Sequence, residues 1–324
     1  MSQIKVLAAS EVDLAVSLLN SGGLIGLPTE TVYGLAAVAE NENAVRRIYE
    51  VKGRPLDHPV IVHIGTFEEL DFWGGEISPE TRKLAEIFWP GPLTLIVKRK
   101  KVAGNWLTGG QETVALRMPA HPVALAILQK LGKGLAAPSA NKFGSVSPTS
   151  ALHVLHDLSS SLDGTLDAII DGGNCEVGVE STIVDCTGSH PKVLRPGAIT
   201  QSEINQLLDR SSNVASENSI KAPGLLASHY APKAKVLLAQ NPSEIQDIQN
   251  GIQGLFGFIA LEKVPTPLGS LRLAMPKDNE DYAKVLYEAL RNGDEQNLQH
   301  IIAVLPEGDD ISIAVRDRLI KAAN

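Results

Sequence analysis

Four cations in this sequence stand beside prolines at the ends of apolar runs: Lys52, Arg54, Arg117 and Arg195. Lys52-Gly53-Arg54-Pro55 precedes one run, Met118-Pro119 follows Arg117, and Pro196-Gly197 follows Arg195. Proline fixes φ and stiffens the chain around each cation, which favours a preorganised anion site over four solvated charges. Phosphate and carboxylate binding is the chemistry such a set performs. Other polar groups share the same setting: Pro28-Thr29-Glu30-Thr31-Val32-Tyr33-Gly34-Leu35, His58, His63, Ala137-Pro138-Ser139-Ala140-Asn141 and Val179-Glu180-Ser181-Thr182. Strand ends rich in Gly and Pro are where an α/β sheet presents its ligand crevice.

Familiar phosphate grips are missing. The chain has no G-x-x-x-x-G-K-[ST], no G-x-G-x-x-G after a strand and no H-E-x-x-H. Ser139-Ala140-Asn141-Lys142 fits S-x-x-K, but the companion S-D-N and K-T-G motifs are absent, which disfavours serine acylation. His153 and His156 lie three apart on a helix and read as surface histidines; without a third ligand no metal site is expected. Lys98-Arg99-Lys100-Lys101 reads as a solvated tip. Cys175 and Cys186 are too few for a disulfide framework and lack zinc spacing, so they are expected to be small buried residues.

The elements that must position these groups follow from apolar runs and punctuation. Leu24–Leu27, Val60–Ile64, Leu93–Val97, Thr113–Arg117, Ala168–Ile170 and Thr182–Val184 read as strands, with a short Gly134-Leu135-Ala136 strand among them. Helices are expected from the Ser78-Pro79 start to Phe88, from Pro122 to Leu131 with a stop at Gly132, and from Ser147-Pro148-Thr149 through Leu158. Residues 1–209 form one α/β domain in this reading, 210–232 a polar linker, and 233–324 a second domain. In the latter, strands at Val236–Leu238, Leu255–Ala260, Leu271–Leu273 and Ile301–Val304 alternate with helices at Pro242–Asn250, Asn279–Arg291 (stopped by Asn292-Gly293) and from Ile311 onward. That alternation implies a small parallel sheet.

Composition sets the outer limits. The 324 residues suggest two domains, and 44% hydrophobic residues are enough for a sizeable core. A net charge of −8 disfavours a general nucleic-acid binder. The N-terminus lacks a signal-peptide pattern and no apolar run approaches the ~20 residues a bilayer needs, so a cytoplasmic protein is expected.

In order along the chain, P-T-E-T-V-Y-G-L, K-G-R-P-x-x-x-P, F-W-P-G-P-L-T, A-P-S-A-N and E-S-T-I-V-D resemble the YrdC-like domain. With S-H-Y-A-P-K and a following βαβ domain, the chain resembles the two-domain form of the L-threonylcarbamoyladenylate synthase family. The resemblance implies a YrdC-like twisted mixed sheet with flanking helices, plus a small Rossmann-like parallel α/β C-terminal domain. It implies a nucleotidyltransferase that makes threonylcarbamoyl-AMP and pyrophosphate from L-threonine, bicarbonate and ATP, with Mg²⁺ bound to the ATP. The product would pass to tRNA-modifying transferase proteins, with tRNA itself a possible partner and no membrane. By motif position, Thr31, His63, Arg117, Ala137 and Ser181 would hold threonine. Lys52 and Arg54 would be catalytic. Arg54, His58, Thr113, Ser139, Asn141, Ser147, Arg195 and Tyr230 would hold ATP, His58 standing where asparagine is expected. Ser147 reads equally as a helix cap before Pro148. Tyr230 suggests that the linker closes over the crevice as a lid. Two other readings are a non-catalytic RNA-binding module and a carbamoyltransferase of hydrogenase maturation; the latter's cysteine-rich segments are absent here.

Overall fold

A computed structural model describes residues 3–209, 220–224 and 229–324. They fall into two compact units. Residues 144–147 and 176–179, embedded in the first stretch of sequence, group with the C-terminal residues in the second unit. Of the proposed linker, 210–219 and 225–228 lie outside the described residues; 220–224 group with the first unit and 229–232 with the second.

The first unit is built on strands β1 (Lys5–Ala8), β2 (Ile25–Leu27), β3 (Gly34–Val38), β4 (Ile61–His63), β5 (Gly74–Gly75), β6 (Leu93–Arg99), β7 (Thr113–Arg117), β8 (Leu135–Ala136), β9 (Ala168–Asp171), β10 (Thr182–Asp185) and β11 (Lys192–Arg195). They form one mixed sheet in the order β1-β9-β2-β3-β8-β4-β7-β6-β10-β11, with β5 pairing β6. Helices α1 (Val12–Asn20), α2 (Glu42–Lys52), α3 (Glu69–Trp73), α4 (Pro79–Phe88), α5 (Asn105–Thr108), α6 (Pro122–Leu131), α7 (Ala151–Leu158) and α8 (Gln201–Leu207) connect them. The α4 and α6 limits are those the Pro starts and the Gly132 stop imply: Ser78 accepts the Thr81 N–H, and Gly132 takes a left-handed φ of 63°.

Alternation along the central strands separates two faces. Val62, Leu95, Val97, Val114, Leu116 and Val184 face the main core. Ile61, Ile96, Ala115 and Ile183, one residue out of step, form a separate small apolar floor.

The second unit carries a parallel sheet of β12 (Lys235–Ala239), β13 (Phe256–Ile259), β14 (Ser270–Ala274) and β15 (His300–Val304) in the order β12-β15-β13-β14. Helices α9 (Ile245–Asn250), α10 (Asn279–Glu295) and α11 (Ser312–Ala323) connect and flank the strands. Tyr282, Leu286 and Leu290 lie on the buried side of α10.

Four local expectations are corrected. α7 starts at Ala151, and its cap is Ser150, which accepts the His153 N–H, in place of the expected Ser147. The 242–250 segment opens as a 3₁₀ turn over Pro242–Glu244 before α9. Asn292-Gly293 does not stop α10, which runs on to Glu295. His153 is buried, its Nδ1 accepting the Thr149 N–H at 3.1 Å, while the His156 side chain is exposed. Cys175 and Cys186 are buried free thiols, and burial pushes both up to about 12. At the basic tip Lys98 is exposed and pairs with Glu76, while the half-buried Arg99 pairs with Glu112. No helix among the described residues is long and apolar enough to cross a membrane.

Candidate functional site

The polar groups stand at strand ends, as the sequence implies: His63, Arg117 and Arg195 close β4, β7 and β11, and the register sets them on one face of the central sheet with the apolar floor. β4 and β7 pair in parallel with His63 beside Arg117, and Ile61 beside Ala115. Thr113 shares that face of β7 by period two and pairs with Lys98. Across the sheet, Ile183 pairs with Thr94 on one side and with Arg195 on the other. Thr31, His63, Arg117, Asn141, Ser181 and Arg195 are all buried, and Ser139 is half-buried.

The turn after β2 is set by Thr29. Its hydroxyl donates to the Val32 carbonyl at 2.6 Å and accepts the Thr31 and Val32 N–H groups. This hydroxyl turn fixes Glu30 and Thr31. Arg117 donates through Nη1 to Thr31 Oγ1 at 2.8 Å and through Nε to the Gly91 carbonyl at 3.2 Å. Its Nη2 stands 2.7 Å from Glu30 Oε1, with both side chains buried. Burial, with Arg117 adding to it, drives the His63 pKa down to about 3, so the ring is neutral at physiological pH. Ala137 is buried and its N–H donates to the Ile61 carbonyl.

A second network holds Ser181 and Arg195. Ser181 Oγ lies 2.7 Å from Thr94 Oγ1. Arg195 donates through Nε and Nη2 to the Ser181 carbonyl, through Nη2 to Ser181 Oγ, and through Nη1 to the Pro223 carbonyl at 3.0 Å. Ser181, expected on threonine, therefore shares its environment with Arg195, expected on ATP. The 220–224 segment lies on the same face. Ile220 and Ala222 pack on the apolar floor, Lys221 exchanges two hydrogen bonds with Gln111, and its ammonium pairs with Asp57 at 2.8 Å.

Lys52, the last residue of α2, is buried, and its ammonium donates to the Ser139 and Asn141 carbonyls. Burial, helped by nearby Arg54, holds its pKa well below the usual lysine value. Lys52 therefore ties down the A-P-S-A-N loop. Gly53, at φ 65°, turns the chain so that Arg54 Nη2 donates to the Pro59 carbonyl at 2.8 Å. Phe143 packs against both neighbours, its ring 5.6 Å from the Arg54 guanidinium carbon and 5.4 Å from the edge-on His58 ring. The remaining two expected residues lie in the second unit. Ser147 is fully buried there, its carbonyl accepting from Arg291 Nε. Tyr230, at a left-handed φ of 62°, is buried with Tyr287 5.7 Å and the Arg318 guanidinium carbon 5.3 Å from its ring centre.

Sequence reading assigned no role to Glu30, Thr29 or Gln111. Only Glu30 carried a signal, as the one ionic residue within an otherwise uncharged stretch from Leu24 to Ala39.

Residues 17–197 match a family model described as Telomere recombination, and residues 199–324 match one described as Threonylcarbamoyl-AMP synthase, C-terminal domain. A threonylcarbamoyl-AMP synthase of Pyrococcus abyssi is 39% identical, covering 97% of this chain and 94% of that one. Its counterpart from Bacillus subtilis is 40% identical, covering 95% and 92%. The crystal structure of P. abyssi Sua5 complexed with L-threonine is 36% identical, covers 99% of this chain and 97% of that chain, and superposes with a TM-score of 0.87.

Proposed function

The chain belongs to the threonylcarbamoyl-AMP synthase family, and on that premise we propose that it converts L-threonine, bicarbonate and ATP into threonylcarbamoyl-AMP and pyrophosphate. The observation that supports this reading most directly is the set of buried, protein-bonded cations on one sheet face, Arg117 and Arg195, beside the loop tied by Lys52. Such groups are already fixed when charge arrives, which suits phosphoryl chemistry done by positioning rather than by a covalent nucleophile.

In this reading Arg117 grips the threonine carboxylate, with Thr31, His63, Ala137 and Ser181 around the rest of the molecule. A neutral His63 bonds a hydroxyl without competing for the carboxylate. The threonine amine attacks bicarbonate, whose C–O bond breaks to release water and leave a carbamate, and a carbamate oxygen attacks the α-phosphate as pyrophosphate leaves. Arg54, His58, Thr113, Ser139, Asn141 and Arg195 hold the nucleotide. Lys52 acts by holding the Ser139–Asn141 backbone in place. Mg²⁺ enters as part of the ATP substrate. The 220–224 segment supplies part of the cover that keeps water from the adenylate. The reaction classes the enzyme as a nucleotidyltransferase, acting in the cytoplasm and supplying transferase proteins that modify tRNA.

The test is pyrophosphate release by the pure protein with ATP, Mg²⁺, bicarbonate and each amino acid in turn. Stimulation by L-threonine that also requires bicarbonate is the expected result. No stimulation, with tight salt-sensitive RNA binding instead, would replace this reading with a nucleic-acid site.

A further inference from the structure

We propose that Glu30 recognises the α-ammonium group of L-threonine, so that Glu30 and Arg117 together hold the amino acid as a zwitterion. The inference rests on the placement of threonine on the β4–β7 face given above. Three observations carry it.

Glu30 is one of the few buried carboxylates of the first unit, and its side chain is only 7% exposed. Its position is imposed by the Thr29 turn, whose hydroxyl bonds the backbone on the far side of it. Although Glu30 Oε1 lies 2.7 Å from Arg117 Nη2, neither carboxylate oxygen receives a properly directed hydrogen bond from the described residues, and Nη2 donates none. The two ions attract each other, yet the hydrogen-bonding capacity each turns toward the other is unspent.

Other buried charges in the same unit are not left this way. Asp167 receives two hydrogen bonds from Arg47, one from the Leu24 N–H and one from the Asp163 N–H. Arg195 spends all three of its nitrogens on Ser181 and Pro223. A carboxylate accepts and cannot donate, so only a donor can satisfy Glu30. An ammonium brings three donors, and the carboxylate bonded to the same carbon brings acceptors for Nη2. An α-amino acid fills both needs at once and leaves the site neutral. A hydroxy acid of the same shape would satisfy Arg117 and offer Glu30 a single weaker donor. Glu30 is thus a specificity residue for the amine, placed where the carbamate nitrogen must lie.

Equilibrium binding of L-threonine and of its 2-hydroxy analogue, 2,3-dihydroxybutanoate, to the full chain and to Glu30→Gln tests this, with ATP binding measured on the same preparations. The wild type should prefer L-threonine by about 10²-fold, below the roughly 10⁴–10⁵ of a polar site left wholly unmet, because the hydroxyl still offers Glu30 one donor. In Glu30→Gln that preference should fall to within a few-fold, through weaker threonine binding, with ATP binding unchanged. A merely structural role would weaken both acids alike and keep the ratio, and that result overturns the proposal. Should the variant not fold, the wild-type ratio decides: a value near one overturns it. A wild type that binds ATP but neither acid overturns the placement of threonine on this face, a separate failure from loss of selectivity.

Discussion

The two sheets of this molecule present polar groups in opposite ways. On the first, ions are buried and fixed: Arg117 and Arg195 are each about 3% exposed, and Lys52 about 2%. On the second, the C-terminal ends of β12, β13 and β15 open into a cavity of about 440 Å³ with Asn241, Lys263, Lys277, Glu307 and Asp310 around it. That is where a doubly wound sheet would be searched first. Yet its lysines are exposed, and two of its acids serve the fold. Asp278 caps α10 through the Asp281 N–H, and Asp310 binds Asn279 and the Ser312 N–H. A hollow of suitable size is easily made where loops splay apart. Charge removed from water is costly and persists only where something requires it. In the proposed reading the reaction takes place on the buried charge of the first sheet, and not in the hollow of the second.

The strongest attempt to break this contrast removes Arg117. Arg117→Ala should lower kcat/KM for L-threonine by at least ~10³-fold, because the guanidinium that meets the carboxylate disappears. It also strands Glu30 as an unpaired buried ion, which should cost about 3–5 kcal/mol in denaturant unfolding. Activity within tenfold of wild type would mean that the first sheet's buried charge is structural. Next, Lys52→Met leaves the Ser139 and Asn141 carbonyls without their donor. At about 1–3 kcal/mol per unmet buried acceptor, stability should fall measurably, and pyrophosphate release by roughly 10²-fold as the loop relaxes.

A third prediction concerns pH. His63 has a folded pKa near 3 against an ordinary value of 6.5, so the unfolded chain takes up a proton that the folded chain refuses. Its contribution is complete above pH 6.5 and is lost as pH falls toward 3. Between pH 6.5 and 5 that amounts to about 2 kcal/mol, at 1.36 kcal/mol per unit. Unfolding titrations of His63→Gln should show that much less acid sensitivity than wild type over this interval; equal slopes would show that the ring is hydrated. The smallest effect is expected on the second sheet. The double change Lys263→Ala with Lys277→Ala should leave the KM for ATP and for L-threonine within about twofold. A tenfold rise would make the cavity part of the reaction site.

The sequence made the ends of α4 and α6 legible because Pro starts and a Gly stop act locally, through φ and a single cap. Gly293 misled by the same logic. In the folded chain it is a contact residue: an added Cβ would lie 2.5 Å from Ile301 Cδ1, so its smallness brings α10 close to β15 while the helix continues. Ser147 misled because two Ser positions precede α7 and only Ser150 has its hydroxyl on the His153 N–H. His153 looked like surface because its partner is a backbone N–H, which no residue pattern displays. In the site, Arg117 and Arg195 were legible from their prolines. The shared face was not, because it depends on register between strands far apart in the chain, His63 with Arg117 and Ile183 with Arg195. Glu30 was visible but had no assigned partner until β2 and β7 were brought together.

The two buried thiols give the protein built-in clocks. With both held up to about 12 by burial, neither Cys175 nor Cys186 is a useful nucleophile while the fold is closed. Alkylation must then wait for local or global opening, and its rate counts openings at each position separately. Cys175 feels the charges of Glu30 and Arg117, whereas Cys186 lies just beyond β10, near Thr81. A molecule that seats on the Glu30–Arg117 pair should therefore slow labelling at the first thiol more than at the second. The ratio of the two rates would report occupancy without any turnover.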